Sequence, residues 1–230
     1  MVDGNRIVVV TGASGGLGRF VTQAFLDTGA HVIGIGRHSP GPSGSNERLL
    51  SISADLDGAA AAENAVGEVL SRFEKIDVLA HLVGGFEGGQ SIIETEEATL
   101  NRMLDLNLRS AFRIVRLVAP HMRTRRSGRI IAVASRTAVD PQPLLGAYGS
   151  SKAALVALMR TLALELKSYG VTVNVVLPGT MDTPANRAAM PSADPGAWVH
   201  PAQVAKVILW LASDGAGQIT GANIPIYGTQ

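Results

Sequence analysis

The sequence predicts an α/β fold built on a seven-stranded parallel sheet that is doubly wound, with helices on both faces. Short apolar runs typical of buried strands alternate along the chain with longer segments whose apolar residues recur every three or four positions. That alternation is typical of consecutive βαβ units, whose right-handed crossovers place helices on both sides of the sheet. No internal repeat and no linker divides the 230 residues, so we expect a single domain spanning residues 1–230.

Both kinds of element can be placed along the chain. Strands are predicted at residues 7–11, 31–35, 50–53, 78–83, 129–134, 171–177 and 223–226. Helices are predicted at residues 16–28, 58–73, 96–125, 148–169 and 201–213.

Two segments interrupt the alternation. Residues 39–46 are rich in Gly, Pro and Ser and are predicted to form a surface loop. Residues 178–200 contain four prolines and are too long for an ordinary connection in a compact domain. We therefore expect either a substrate loop that closes as a lid or a disordered excursion.

Composition excludes several classes of function. With 20 basic and 19 acidic residues, the net charge of +1 provides no long-range field to attract nucleic acid or an anionic membrane. Without cysteine there is no disulfide, no thiolate nucleophile and no cysteine-based metal site, and no metal is expected.

Hydropathy suggests where the protein works and how it assembles. No apolar stretch approaches the roughly 18 residues that span a bilayer, and the N-terminus lacks a signal peptide, so a cytoplasmic protein is expected. Charged residues make up 17%, against about 25% in typical domains. We therefore expect much of the chain to be buried, in part against another subunit.

A glycine-rich turn follows the first predicted strand and opens into the first predicted helix. It is formed by Thr11 and the candidate ligand-binding residues Gly12, Ser14, Gly16, Leu17 and Gly18. Glycines let the backbone approach a pyrophosphate, whose charge meets the free N–H groups at the helix start. The alternative is a tight turn without a ligand.

Candidate catalytic residues lie in the second half of the chain. Tyr148 and Lys152 are four residues apart, on one face of a predicted helix, and Ser135 lies thirteen residues before Tyr148. A nearby ammonium favours the phenolate, so a tyrosine that normally titrates near 10 can act as an acid or base close to neutrality.

The order Thr11, Gly12, Gly16, Gly18, Asn107, Ser135, Tyr148 and Lys152 resembles the classical short-chain dehydrogenase/reductase family. The resemblance covers essentially the whole chain, including Pro178-Gly179-Thr180 and residues 219–225. It implies a Rossmann fold, a nicotinamide dinucleotide, hydride transfer with a small carbonyl or alcohol substrate, and a homodimer or homotetramer.

The resemblance also implies roles for the candidate residues. Tyr148 exchanges a proton with the substrate oxygen, Ser135 hydrogen-bonds that oxygen, and Lys152 lowers the pKa of Tyr148 and binds the nicotinamide ribose. Asn107 is similar to an asparagine that kinks its helix and holds a water beside the lysine. A buried asparagine satisfied by its neighbours is the alternative. Pro178, Gly179, Thr180 and Thr183 would belong to the loop that contacts the cofactor.

The choice of cofactor depends on the end of the second strand. NAD-selective sites usually place an acid there, but this chain has Gly36 followed by Arg37, which favours NADPH. An exposed charge without a ligand is the alternative for Arg37, and His38 is a possible helper. Asp55 and Leu56 resemble the adenine-contacting pair of the family, or else precede a helix cap near Gly58.

The chain departs from the family after the fourth strand. His81, Leu82, Val83 and Gly84 stand where the family has Asn-Asn-Ala-Gly, so Gly84 is expected near the adenine ribose and His81 in the core. Phe86 is a candidate for stacking on the substrate. This departure, together with residues 182–187, is similar to dihydropteridine reductases, which gives one alternative activity; a non-catalytic dinucleotide-binding protein is the other.

Overall fold

The structure, a computed structural model, describes residues 5–37 and 46–228. Within these ranges seven strands form one sheet, and every adjacent pair is parallel. Across the sheet the strands lie in the order Leu49–Ser53, His31–Gly36, Ile7–Thr11, Val78–His81, Gly128–Val133, Val171–Pro178 and Asn223–Ile226. The predicted fold class is therefore confirmed. The expectations for His38 and for most of the loop at 39–46 lie outside the described residues.

The strands agree with the predicted segments to within about two residues at each end. They are β1 (Ile7–Thr11), β2 (His31–Gly36), β3 (Leu49–Ser53), β4 (Val78–His81), β5 (Gly128–Val133), β6 (Val171–Pro178) and β7 (Asn223–Ile226). All residues of β1, β4 and β6 are buried. Burial on both faces explains why these strands have continuous apolar runs instead of alternating patterns.

The described residues contain seven helices, five of which cover the two faces of the sheet. They are α1 (Gly18–Leu26), α2 (Ala59–Phe73), α3 (Glu97–Leu104), α4 (Ser110–Arg125), α5 (Gly146–Leu166), α6 (Pro184–Ala189) and α7 (Pro201–Ala212). The apolar sides of α2, α4 and α5 pack on one face of the sheet. Those of α1 and α7 pack on the other.

One predicted helix is interrupted. One helix was predicted over residues 96–125, with the kink at Asn107 that the family resemblance implies, and a π-helical turn, Asp105–Arg109, separates α3 from α4. Asn107 lies in this turn and is completely buried, and its side chain pairs with the backbone of Gly85. This contact with a distant loop explains the local widening, which is frequent at functional sites.

The expectation of a disordered excursion at 178–200 is wrong. The segment contains α6 and a short 3₁₀ turn, Pro195–Ala197, and it is tied back on itself where Met181 pairs with Val199. Thr183 caps α6 by accepting a hydrogen bond from the Asn186 N–H. Residues 178–200 are thus ordered, and their roles as a substrate loop and as a lid stay predictions.

Within the described ranges, no helix combines the length and apolar character needed to cross a membrane.

Candidate active site

The glycine-rich turn lies at the carboxyl end of β1, where open parallel sheets bind their ligands. Gly12 has a φ of +70°, and its N–H donates to the carbonyl oxygen of Ile35 at 2.7 Å. A Cβ on Gly18 would lie 2.1 Å from the carbonyl oxygen of Gly12, so only glycine fits this crossing. The turn therefore folds tightly against its own backbone.

The start of α1 is suited to an anion. Leu17 precedes it without a side-chain cap, and no acidic residue lies in the first turn. The positive end of the helix dipole is thus available to a pyrophosphate, and the N–H groups of Arg19 and Phe20 are bonded to the carbonyl oxygens of Gly15 and Leu17 within the turn. The exposed Ser14 and Gly15 lie on the same turn. Their arrangement fits the phosphates of a dinucleotide.

The segment of residues 178–200 reaches this turn through Thr183. A Cβ on Gly16 would lie 2.9 Å from Thr183 Cγ2, and Thr183 is buried. Upstream, the N–H of Gly179 donates to the carbonyl oxygen of Ile226 and holds the start of the loop beside β7. Thr180 is held at its carbonyl, which accepts from the N–H of Val199. Pro178, the last residue of β6, is buried.

Ser135 and Tyr148 meet at the carboxyl end of β5. Ser135 follows that strand, and Tyr148 lies in the first turn of α5. The Ser135 hydroxyl interacts with the phenol of Tyr148, which favours the ionised form of Tyr148. The hydroxyl and the N–H of Thr137 both donate hydrogen bonds to Ser135 Oγ, at 2.9 and 3.3 Å. Three hydroxyl groups therefore form a chain.

The pKa of Tyr148 departs from the expectation. We expected Lys152 to lower it, but burial raises the pKa of Tyr148, and only the hydrogen bond from Ser135 opposes that rise. Lys152 Nζ instead donates to the carbonyl oxygen of Val133 at 3.1 Å. The phenol of this structure therefore holds its proton at neutral pH.

Lys152 is buried next to these groups. Burial lowers the pKa of its ammonium to about 8, because the charged form loses hydration. A lysine with this pKa changes charge close to physiological pH, which suits proton exchange better than an ordinary surface lysine.

Asn107 and Lys152 both approach Gly84 closely. A Cβ on Gly84 would lie 2.7 Å from Asn107 Oδ1 and 2.9 Å from Lys152 Nζ. Asn107 Nδ2 donates to Ser151 Oγ, and its amide also pairs with the N–H and C=O of Gly85. The side chain is thus held by the protein itself, in agreement with a satisfied buried asparagine, and the role as a water carrier stays a prediction.

His81 is completely buried at the end of β4. Its Nδ1 shares a 2.9 Å hydrogen bond with the hydroxyl of Thr11, while its Nε2 has no partner among the described residues. Burial, helped by the charge of Lys152, lowers the pKa of His81 to about 3. These contacts and the burial make His81 a neutral histidine in the core, as expected.

The residues expected around the adenosine lie near the carboxyl ends of β2 and β3. Arg37 follows β2 and is exposed. Burial raises the pKa of Asp57, and the charge of Arg37 is close enough to oppose part of that rise. Asp55 is exposed and accepts a hydrogen bond from the Asp57 N–H. Leu56 is buried. Asp55 does not cap α2, which has no side-chain cap.

Sequence reasoning missed two polar residues of this site. Thr137 orients Ser135, and Ser151 connects Asn107 to the backbone carbonyl of Tyr148 through a 2.7 Å hydrogen bond. The signals were faint: Thr137 lies two residues after Ser135, at turn spacing, and Ser151 adjoins Lys152. Phe86, the stacking candidate, lies edge-on to Tyr148 with ring centroids 5.0 Å apart.

These features define a protein of the dinucleotide-binding oxidoreductase class. The family model described as short chain dehydrogenase matches residues 6–193. The chain belongs to this family of NAD(P)-dependent dehydrogenases and reductases.

Individual relatives agree with that placement. The chain is 30% identical over 240 residues to the L-fucose dehydrogenase of Mus musculus, covering 97% of this chain and 87% of the relative. It is 29% identical over 235 residues to the 3-oxoacyl-[acyl-carrier-protein] reductase FabG of Escherichia coli, covering 97% and 96%. A solved structure of 3-ketoacyl-(acyl-carrier-protein) reductase from Brucella melitensis, complexed with NADH, is 26% identical, covers 97% of both chains and has a TM-score of 0.87.

Proposed function

We propose that the protein is an NADPH-dependent oxidoreductase that interconverts a small carbonyl compound and its alcohol, with Tyr148 as the acid or base. The observation that carries the proposal is the hydroxyl chain from Thr137 through Ser135 to Tyr148, beside the buried Lys152. When bound, the nicotinamide cofactor supplies or accepts the hydride.

The protonated phenol suits the reductive direction. Because burial raises the pKa of Tyr148, the side chain has a proton to give to a carbonyl oxygen at neutral pH. Ser135 is placed to donate a second hydrogen bond to the same oxygen while negative charge develops there. Lys152, with a pKa of about 8, can return a proton to the tyrosine. Asn107 holds the backbone around Gly85, next to Lys152.

The residues expected to hold the cofactor lie along one edge of the sheet. Gly12, Ser14, Gly16, Leu17 and Gly18 would receive the pyrophosphate. Asp55, Leu56 and Gly84 would border the adenosine, and Pro178, Gly179, Thr180 and Thr183 the nicotinamide half. Arg37 is exposed with no acid at Gly36, which supports a 2′-phosphate and therefore NADPH over NADH.

Two measurements test this function. Fluorescence titration with NADPH and NADH should show tighter binding of NADPH, and Arg37→Leu should remove most of the difference; a strong preference of the wild type for NADH would contradict the assignment. Turnover of a panel of ketones, quinones and dihydropterins should fall by orders of magnitude in Tyr148→Phe while NADPH still binds. Unchanged turnover in that variant would exclude Tyr148 as the acid.

We also propose a homodimer or homotetramer that uses the outer side of α4 and α5. A groove there is lined by the apolar side chains of Phe112, Leu158 and Leu162, and Phe112 is 46% exposed. Such a surface is typical of an interface between subunits. Light scattering should give a mass above that of one chain, and Phe112→Asp should lower it.

A further inference from the structure

The loop after β4 and the loop before α5 together form an apolar rim next to Tyr148. The rim consists of Phe86, Ile92, Ile93 and Leu144, whose exposed fractions are 67%, 77%, 95% and 51%. Four large apolar side chains exposed in one place are unusual on a soluble protein and indicate a binding surface. Contacts between the two loops bring Phe86, Ile92 and Leu144 into one region, and Ile93 is next to Ile92 in the chain.

The two loops touch each other at glycines. A Cβ on Gly88 would lie 2.3 Å from Leu145 Cδ2 and 3.4 Å from Phe86 Cζ, and one on Gly146 would lie 2.5 Å from Ile92 Cγ1. The N–H of Gly89 also donates to the carbonyl oxygen of Leu144 at 2.9 Å. The rim therefore extends from Phe86, which contacts the ring of Tyr148, across the second loop to Ile92.

The first loop is held in place at Glu87. Arg102 on α3 donates hydrogen bonds from Nε and Nη2 to the carboxylate of Glu87, at 2.6 to 2.8 Å, and the hydroxyl of Thr99 donates to the same carboxylate. The charge of Glu87 is therefore paired, and Phe86 beside it is the apolar side chain of this part of the loop.

Leu144 adopts a backbone conformation that leucine rarely accepts. Its φ of +65° is in the left-handed region, which glycine adopts with less steric strain than leucine. The side chain is half exposed and so gains little from packing within the chain. Backbone strain of this kind is concentrated at ligand sites, where the required position of a side chain outweighs the free energy that the strain costs.

We infer that this rim receives the hydrocarbon tail of the substrate, so the natural substrate is a carbonyl compound with a linear aliphatic chain. The inference rests on the proposed function, because Phe86 contacts the phenol that would protonate the carbonyl. The four side chains carry no hydrogen-bonding atom, so a sugar would lose hydration there without replacement. A hydrocarbon chain gains from the same surface with every methylene it buries.

Binding can be tested without turnover. Wild-type protein with NADP⁺, which cannot reduce a ketone, is titrated calorimetrically with 2-alkanones from four to ten carbons and with a hexose. We expect each added methylene to lower the Kd about two- to fourfold until the rim is covered, and the hexose not to bind. A Kd independent of chain length, or tighter binding of the hexose, would overturn the inference.

Two variants separate a binding role from a structural one. Ile93→Asp should abolish the dependence on chain length, whereas Trp210→Asp, which adds the same charge to a half-exposed side chain on α7, should preserve it. Leu144→Gly should bind the ten-carbon ketone several-fold more weakly while its Tm stays at or above that of the wild type, because the backbone strain is relieved. A lowered Tm with unchanged binding would show that Leu144 serves only the fold.

The remaining outcomes distinguish this inference from the proposed function. Binding that depends on chain length, without turnover of any ketone with NADPH or NADH, would refute the proposed catalysis and leave the rim assignment intact. Dissociation of the oligomer by Ile93→Asp would assign the rim to a subunit interface and refute the inference alone.

Discussion

Asn107 donates a hydrogen bond of 2.9 Å to the hydroxyl of Ser151, and Ser151 passes a hydrogen bond of 2.7 Å to the backbone carbonyl of Tyr148. The π-helical turn is thereby tied to the first turn of α5, which carries the tyrosine and Lys152. The position of the candidate acid thus depends on an amide forty-one residues earlier in the chain.

Ser151→Ala tests this connection. Removing the hydroxyl should lower the free energy of unfolding by about 1 kcal/mol and reduce kcat several-fold, because the turn that carries Tyr148 is held less firmly. Denaturant unfolding and steady-state kinetics give the two values. Ser150→Ala, at the exposed neighbouring position, is the matched control and should change neither. Equal behaviour of the two variants would show that the connection is dispensable.

Gly84→Ala tests the close approach of Asn107 and Lys152 to Gly84. The added methyl would collide with Asn107 Oδ1, which is fixed, and with Lys152 Nζ, which can swing away from Val133. We expect kcat to fall at least about tenfold and stability to fall by about 1–3 kcal/mol, measured by single-turnover kinetics and thermal unfolding.

Gly67→Ala is the control for Gly84→Ala. Gly67 lies inside α2, and a Cβ there would meet no atom within 4 Å. The substitution should leave kcat unchanged and stabilise the fold by about 0.5–1 kcal/mol. If Gly84→Ala were equally harmless, the close approach of Asn107 and Lys152 to Gly84 would have no functional role.

Thr137→Val tests the hydroxyl chain. Valine keeps the shape of threonine and its backbone N–H but loses the hydroxyl that donates to Ser135 Oγ, so Ser135 is held by one hydrogen bond instead of two and is less firmly oriented toward Tyr148. We expect kcat to drop about tenfold, equivalent to about 1.4 kcal/mol, with the Kd for NADPH unchanged. Thr137→Ser keeps the hydroxyl and should retain most of the activity. A fully active valine variant would show that Ser135 does not need the Thr137 hydroxyl.

The strands and the principal site residues could be predicted because they depend on local sequence. Strands buried on both faces leave continuous apolar runs, and the order of the glycine turn, Ser135, Tyr148 and Lys152 is visible without coordinates. The break at Asp105–Arg109 depends on Asn107 meeting Gly85, twenty-two residues away. Helix α6 begins at Pro184, and Thr183 is its N-cap. Contacts of this kind leave no periodic signal.

The electrostatics could not be predicted for the same reason. The spacing of Tyr148 and Lys152 suggested that the ammonium lowers the pKa of the phenol, but the position of Lys152 depends on the Val133 carbonyl in a different strand. Likewise, no pattern indicated that Phe86 contacts Tyr148. The three-dimensional arrangement of β4, β5 and α5 decides both.

His81→Asn should make the protein more tolerant of acid. An unfolded histidine takes up a proton near pH 6.5, but the buried His81 resists protonation until about pH 3. Between these values the unfolded state binds the extra proton, so the free energy of unfolding falls as pH falls, by about 1.4 kcal/mol per pH unit at most. Asparagine does not titrate, and its amide can still bond the Thr11 hydroxyl, so its profile should be flatter by that slope.

Urea unfolding of both proteins from about pH 7 to about pH 4 measures the difference. His81→Gln should reproduce the flatter profile, and parallel profiles for wild type and both variants would show that His81 is protonated without opening the fold.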